Sequence, residues 1–305
     1  MSPRFFDIGV NATDTQFQGI YRSKWKHDSD FELVRQRSVE AGCEHWLITG
    51  GDLADAKEAL TLSRSHTSWY STAGVHPTRS NIMASHKAGP AAYLTELRAL
   101  IIQGQQENKI KAFGEFGLDY DRLDWSPKET QLPVFEAQLE LAVELQLPLF
   151  LHSRACEEDF LRILTPYNDR LPLRGVIHSF TGSLNEMKQL TQSGWSIGIN
   201  GCSLKTDENL TVVREIPLDL LMLETDAPWC DIRPSHAGHK YLKLASVPSI
   251  PDSKKVERFE SGKMVRSRNE PCTIVQVAWI VAQVKGVAYE EVVDRAFENT
   301  MKMFG

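Results

Sequence analysis

Two carboxylates, Glu224 and Asp226, end a short apolar run in the stretch Asp219-Leu-Leu-Met-Leu-Glu-Thr-Asp226-Ala-Pro-Trp229. Residues 220–224 read as a buried strand. Alternation along an extended chain puts both acids on one face, and Pro228 bars continuation as a central strand. An acid at the end of an apolar strand is costly to bury unless a positive group meets it. Three other strand-like segments end in Glu115, His152 and His178. The simplest common partner is a divalent cation. Imidazole with carboxylate suits zinc, manganese or a similar ion, magnesium is not distinguished from these, and a carboxylate such as Glu115 can bridge two ions. A lone histidine after an apolar strand is more often a hydrogen-bonded core or loop residue. The joint pattern carries the assignment, because four unrelated burials of ionisable groups would each carry a cost.

Other residues stay open on their own. His76, before Pro77, reads as a phosphate donor, an outer partner of the centre, or a turn residue. Arg154, two residues past His152, reads as a phosphate clamp or a surface ion-pair partner. His236 and His239 have loop-like spacing and read as part of a substrate loop. The group Arg22, Lys24, Trp25, Lys26 and His27 reads as a solvated loop, or as a phosphate-facing loop with an aromatic for base stacking. Residues 254–268 hold six basic and two acidic side chains, a stretch that could track a DNA backbone or be a solvated loop.

The elements that must position these groups alternate. Strands are predicted at 5–10, 45–48, 68–75, 110–114, 148–151, 175–177, 195–199 and 220–224, with helices between most of them. Capping patterns at Ser29-Asp-Phe-Glu32, Ser126-Pro-Lys-Glu129 and Ser183-Leu-Asn-Glu186 predict helix starts. Pro133 predicts a kink or a separate first turn in the helix after Ser126. Helices are also predicted at 273–284 and 289–304. Short apolar strands followed by capped helices specify parallel pairing. Eight such units fit a closed (β/α)8 barrel, with an open doubly wound sheet as the alternative. In a barrel the candidate ligands, a few tens of residues apart, fall around one rim, at the C-terminal ends of strands.

The 305 residues, 42% hydrophobic and 24% charged, supply enough apolar surface for a substantial core. A net charge of −6 argues against nonspecific wrapping of nucleic acid, though not against a local metal-assisted phosphate site. Five scattered cysteines without a C-x-x-C pair favour reduced thiols and a cytoplasmic or nuclear setting. No apolar run has the length of a membrane span, and no obligatory protein partner is expected.

The motifs Asp7-Ile-Gly-Val-Asn11, Gly74-Val-His76-Pro77, Gly114-Glu115-Phe-Gly-Leu-Asp119, Leu151-His152-Ser-Arg154, Val176-Ile-His178-Ser-Phe180, Glu224-Thr-Asp226-Ala-Pro-Trp229 and Arg268-Asn-Glu-Pro271 together resemble the TatD family of metal-dependent deoxyribonucleases. Asn200-Gly-Cys-Ser-Leu-Lys205-Thr and His236-Ala-Gly-His-Lys240-Tyr resemble its eukaryotic branch. The resemblance implies an amidohydrolase-like TIM barrel spanning residues 1–305 as one domain, with extra C-terminal helices. It implies hydrolysis of DNA phosphodiesters from a 3′ end, in degradation or repair. It carries metal binding, one or two divalent ions, onto Glu115, His152, His178 and Asp226. Glu115 would bridge, and Asp226 would orient or deprotonate the attacking water. Asn11, His76 and Arg154 would face the substrate. Many relatives carry an H-x-H pair where this chain has Gly9 and Asn11, and a cysteine where it has Phe116. Another metal hydrolase of the same barrel superfamily, or a barrel that binds metal without catalysis, is the alternative reading.

Overall fold

The computed structural model describes residues 4–305. Eight parallel strands follow one another both in sequence and in space. They are β1 (Phe5–Val10), β2 (Cys43–Ile48), β3 (Trp69–Ala73), β4 (Ile110–Asp119), β5 (Leu149–Arg154), β6 (Gly175–His178), β7 (Ser196–Ile199) and β8 (Leu221–Leu223). The sheet curls into a nearly closed barrel. Across the seam between β8 and β1 runs a single bridge, Val10 to Ala227, with the Asn11 N–H donating to the Ala227 carbonyl at 2.8 Å. The expected (β/α)8 architecture is therefore the observed one.

Strand alternation builds the interior. Leu47, Phe150, Val176 and Met222 join Phe6, Ile8 and Ala112 in one buried cluster inside the barrel. Their neighbours Trp46, Ile48, Leu149, Leu151, Ile177, Leu221 and Leu223 face outward into a second cluster shared with the helices. This period of two is what a strand buried on both faces requires.

The helices are α1 (Phe31–Glu40), α2 (Leu53–Ser63), α3 (Ser80–Ala84), α4 (Pro90–Gln106), α5 (Lys128–Leu145), α6 (Glu157–Leu164), α7 (Leu184–Gln192), α8 (Asp207–Glu215), α9 (Ile274–Lys285) and α10 (Tyr289–Phe304). The two extra C-terminal helices are present. α10 packs over β8 and β1, and its Phe304 enters the inner cluster. No single helix among the described residues is long and apolar enough to cross a membrane.

Several local expectations are corrected. At Ser29 the full capping box does not form: the hydroxyl donates to the Phe17 carbonyl at 3.0 Å and accepts from the Phe31 N–H at 3.4 Å, and α1 begins at Phe31, with no cap from the Asp30 side chain. Ser126 does not cap α5 either; its hydroxyl is buried without a partner. Pro133 lies inside α5, which runs through it from Lys128 to Leu145, so the alternative of a separate first turn does not hold. Ser183 does accept from the Glu186 N–H at 3.0 Å, but the Glu186 carboxylate turns away to Ser153 at 2.7 Å, so only half of that box forms. β4 runs five residues past its expected end, to Asp119, whereas β8 is confined to Leu221–Leu223.

Candidate metal centre

Parity explains how three of the strand ends converge. On β5, Phe150 points inward, so His152 does too. On β6, Val176 points inward, and so does His178. On β4 the register with β5 shifts between Gly114 and Phe116. That bulge changes parity: Ala112 lies inside, Phe113 and Phe116 lie in the outer cluster, and Glu115 turns into the barrel. Bulges re-aim side chains in this way beside functional sites.

The Glu115 Oε1 atom is the focus. It lies 2.8 Å from His152 Nδ1, 2.6 Å from His178 Nε2 and 3.2 Å from His76 Nε2. Single donor atoms of Glu115, His152 and His178 all fall within 4.8 Å of one another, and so do those of His76, Asp119 and His152. The two groups share His152. Its Nε2 is buried without a hydrogen-bond partner, 3.3 Å from Asp119 Oδ2 and not aligned for a bond. A buried orphan imidazole nitrogen costs free energy unless something meets it. A nitrogen and oxygen donor set with that orphan fits a borderline divalent cation.

Electrostatics couple the same groups. Burial works against the charge on Glu115, but the imidazoles of His178, His76 and His152 outweigh it and hold the carboxyl well below its usual range. Burial likewise opposes an imidazolium at His178, yet Glu115 and Glu224 outweigh it and raise the pKa well above the ordinary value. His76 is lowered, by burial. Glu115 and His178 thus each sustain a charge that the barrel interior alone would suppress, whereas His76 does not.

Asp226 stands apart from these two groups but lines the same cleft, about 610 Å³, with Asn11, His76, Arg154 and the cluster itself. Its backbone is left-handed, with φ +56°, so the strand has ended before it. Asn11 donates its amide to Asp226 Oδ1 at 2.9 Å, and Cys230 lies 3.2 Å from Oδ2. Burial raises the Asp226 carboxyl to about 6. Asn11 therefore serves Asp226 directly. His76 joins the Glu115 cluster, while its Nδ1 accepts from the Thr78 N–H at 3.2 Å. Arg154 faces the cleft and reaches Asp119 Oδ2 at 3.5 Å.

Glu224 and Asp226 have separate tasks. Glu224 is fully buried beneath the cleft. Its Oε2 lies 3.3 Å from His178 Nδ1, and its Oε1 accepts from the Ser179 N–H and, at 3.1 Å, from the Asn200 amide. A carboxylate behind a ligating imidazole fixes ring orientation and tautomer. Gly9 makes room for it: a Cβ at residue 9 would sit 2.8 Å from Glu224 Oε2.

Sequence reasoning missed Asp119, Asn200 and the role of Glu224. Two steps of alternation beyond Glu115 reach Asp119, a signal present once the bulge is known. His236 and His239 belong to no metal-ligating group among the described residues. Arg268 is withdrawn from the basic stretch, its guanidinium fully buried against Asp30 and Glu270. In the Arg22–His27 loop, Trp25 is exposed, whereas His27 is buried and stacked on Phe259 at 3.9 Å.

Similarity to known proteins matches this geometry. A relative from Schizosaccharomyces pombe named deoxyribonuclease Tat-D is 50% identical over 303 residues, covering 99% of this chain and 96% of its own. One from Erwinia amylovora, named 3′-5′ ssDNA/RNA exonuclease TatD, is 35% identical and covers 98% and 99%. The crystal structure of a Saccharomyces cerevisiae protein described as an uncharacterized amidohydrolase superposes with a TM-score of 0.89 at 34% identity, over 99% of both chains. The sequence model of the family described as TatD related DNase matches residues 6–305. With a match of that extent, the chain belongs to the TatD related DNase family.

Proposed function

We propose that this chain is a divalent-metal-dependent deoxyribonuclease that hydrolyses DNA phosphodiester bonds and removes nucleotides from a 3′ end. The observation that carries the proposal is the convergence of three imidazole nitrogens on Glu115 Oε1, beside the orphaned His152 Nε2, at the floor of an open cleft. The names of the Schizosaccharomyces and Erwinia relatives support the choice of nucleic acid as substrate.

In this reading residues 1–305 act as one catalytic domain. Glu115, His152, His178 and Asp226 would hold the cation, Glu115 being the carboxylate on which the imidazoles converge. A bound divalent ion would supply Lewis acidity, making water a nucleophile near neutral pH and offsetting charge on the phosphoryl oxygens. Asp226 takes the proton of the attacking water, held in aim by the Asn11 amide. His76 and Arg154 contact the phosphate from the cleft wall, together with Lys205. Trp125 and Trp229, both more than half exposed on the same cleft, offer faces on which terminal bases stack. All five cysteines are free thiols, which suits a cytoplasmic or nuclear setting.

The test is degradation of 3′-labelled and 5′-labelled single-stranded DNA by purified protein, before and after chelation and with Mg2+, Mn2+ or Zn2+ restored. Loss of turnover on chelation, recovery with one of the ions, and loss of at least about a hundredfold in Glu115→Gln are expected. Cleavage that survives exhaustive chelation, or full activity in Glu115→Gln, overturns the proposal.

A further inference from the structure

Five thiols are present, and their surroundings divide them. Cys43, Cys156 and Cys272 are buried, and burial raises all three above the ordinary thiol range. Cys202 and Cys230 are only partly buried, and both line the cleft. They come from loops after adjacent strands, β7 and β8, yet their Sγ atoms lie 2.7 Å apart. The backbone enforces the approach. A Cβ on Gly201 would lie 2.0 Å from the Cys230 carbonyl oxygen, so only glycine lets the second loop close on the first. The Asn200 side chain accepts from the Cys202 N–H at 2.8 Å and holds that loop in place.

We propose that Cys202 and Cys230 form a reversible disulfide site on the rim of the cleft, oxidised by hydroperoxides and reopened by dithiol reductants. Less than an ångström separates the present sulfur contact from a bond of about 2.05 Å. The S–H of Cys230, with Lys205 nearby, outweighs burial and holds the Cys202 thiol down at about 7, which makes it the thiolate that peroxide meets first. Its sulfur attacks a peroxide oxygen and the O–O bond breaks, giving a sulfenic acid and hydroxide. The Cys230 sulfur then attacks the sulfenic sulfur. The S–S bond forms, the S–O bond breaks, and the oxygen leaves as water with the remaining protons. Two thiols and one hydrogen peroxide become one disulfide and two waters. The bond removes the thiol beside Asp226 Oδ2 and ties together two loops that wall the cleft. The site stands on thiol geometry and does not depend on the nuclease reading.

The test treats reduced full-length protein with hydrogen peroxide, blocks free thiols by alkylation, and counts them after denaturation. The expected count falls from five to three, and returns to five after dithiothreitol. Tryptic mapping is expected to join the peptide of residues 189–205 to that of residues 215–240. In Cys230→Ser no resolving thiol remains, and dimedone is expected to trap the sulfenic acid on Cys202. Five thiols surviving the treatment, a link between other cysteines, or absence of the dimedone adduct would each overturn the proposal.

Discussion

Replacing Arg268 with methionine tests how the chain's last motif holds the site. Its guanidinium is fully buried and donates to both oxygens of Asp30 at 2.6 Å and to Glu270 Oε1 at 2.8 Å. Glu270 also takes Arg37, from Nε at 2.7 Å and NH2 at 3.0 Å. Two guanidinium groups thus face two carboxylates, all nearly inaccessible. The next residue, Asn269, donates to the Thr225 carbonyl at 2.9 Å, one position before Asp226. Methionine keeps most of the volume but leaves two buried carboxylates with one cation. Removing one partner of a buried pair costs about 3–5 kcal/mol. For a chain of this size that is a melting shift of roughly 5–8 °C. Calorimetry and urea denaturation of Arg268→Met measure it. The double variant Asp30→Asn with Arg268→Met restores charge balance, so its loss is expected to fall short of the sum of the singles by about 2 kcal/mol or more. A single variant that loses less than about 1 kcal/mol, or singles that simply add, would refute the argument from unpaired charge.

Three further outcomes follow from the same geometry. Burial, aided by Glu157 and opposed by the Ser153 hydroxyl, raises Glu186 to about 7; its neutral form is the folded one, so its stabilisation is complete below the unfolded carboxyl range and is lost as pH rises through 7. Glu186→Gln should therefore gain on the natural protein by up to about 3 kcal/mol between pH 5 and 8 in urea melts, and parallel profiles would reject this. Gly9→Ala places a methyl group 2.8 Å from the carboxylate behind His178; metal affinity by titration calorimetry should drop about tenfold or more with the fold retained, and unchanged affinity would clear Glu224 of a positioning role. His178 is held protonated near neutrality by Glu115 and Glu224 against the effect of burial, whereas a ligating imidazole must be neutral, so metal binding at pH 7 should release about one proton, read from the dependence of binding enthalpy on buffer ionisation; no buffer dependence would remove the imidazolium from the account.

The sequence made the barrel legible because its strands are short apolar runs whose ends are marked by polar residues, and β1 was readable to the residue. What it hid was competition between local and distant partners. Ser29 and Ser126 match the helix-capping pattern, yet the Ser29 hydroxyl donates to the distant Phe17 carbonyl and the Ser126 hydroxyl is buried without a partner. A cap is worth about 1 kcal/mol, no more than one ordinary hydrogen bond, so the capping pattern alone does not fix where a helix starts. Arg268 looked like one member of a basic stretch because its partner Asp30 lies 238 residues away in the chain. The proline in α5 was read as a kink or as the end of a separate first turn; the helix runs through it from Lys128 to Leu145, so the first turn is not separate.

The site divides along the same line. His152 and His178 were legible because β5 and β6 keep strict alternation, and an inward apolar residue two positions earlier fixes each direction. Glu115 was found for a weaker reason: the strand was expected to stop just before it. In fact β4 continues, and the bulge between Gly114 and Phe116 turns Glu115 inward. With uninterrupted alternation from Ala112, Phe116 would face the cleft and Glu115 the helices. The same shift brings Asp119 beneath the orphaned His152 nitrogen. A bulge carries no side-chain signature of its own here beyond Gly114, so parity past it cannot be counted from the N-terminal half of the strand. It can be counted backwards from chemistry: once Glu115 is required inside, Asp119 must be inside as well, and the buried acid beside Arg154 ceases to be a loop residue. The convergence of donors therefore constrains the backbone as firmly as the backbone constrains the donors.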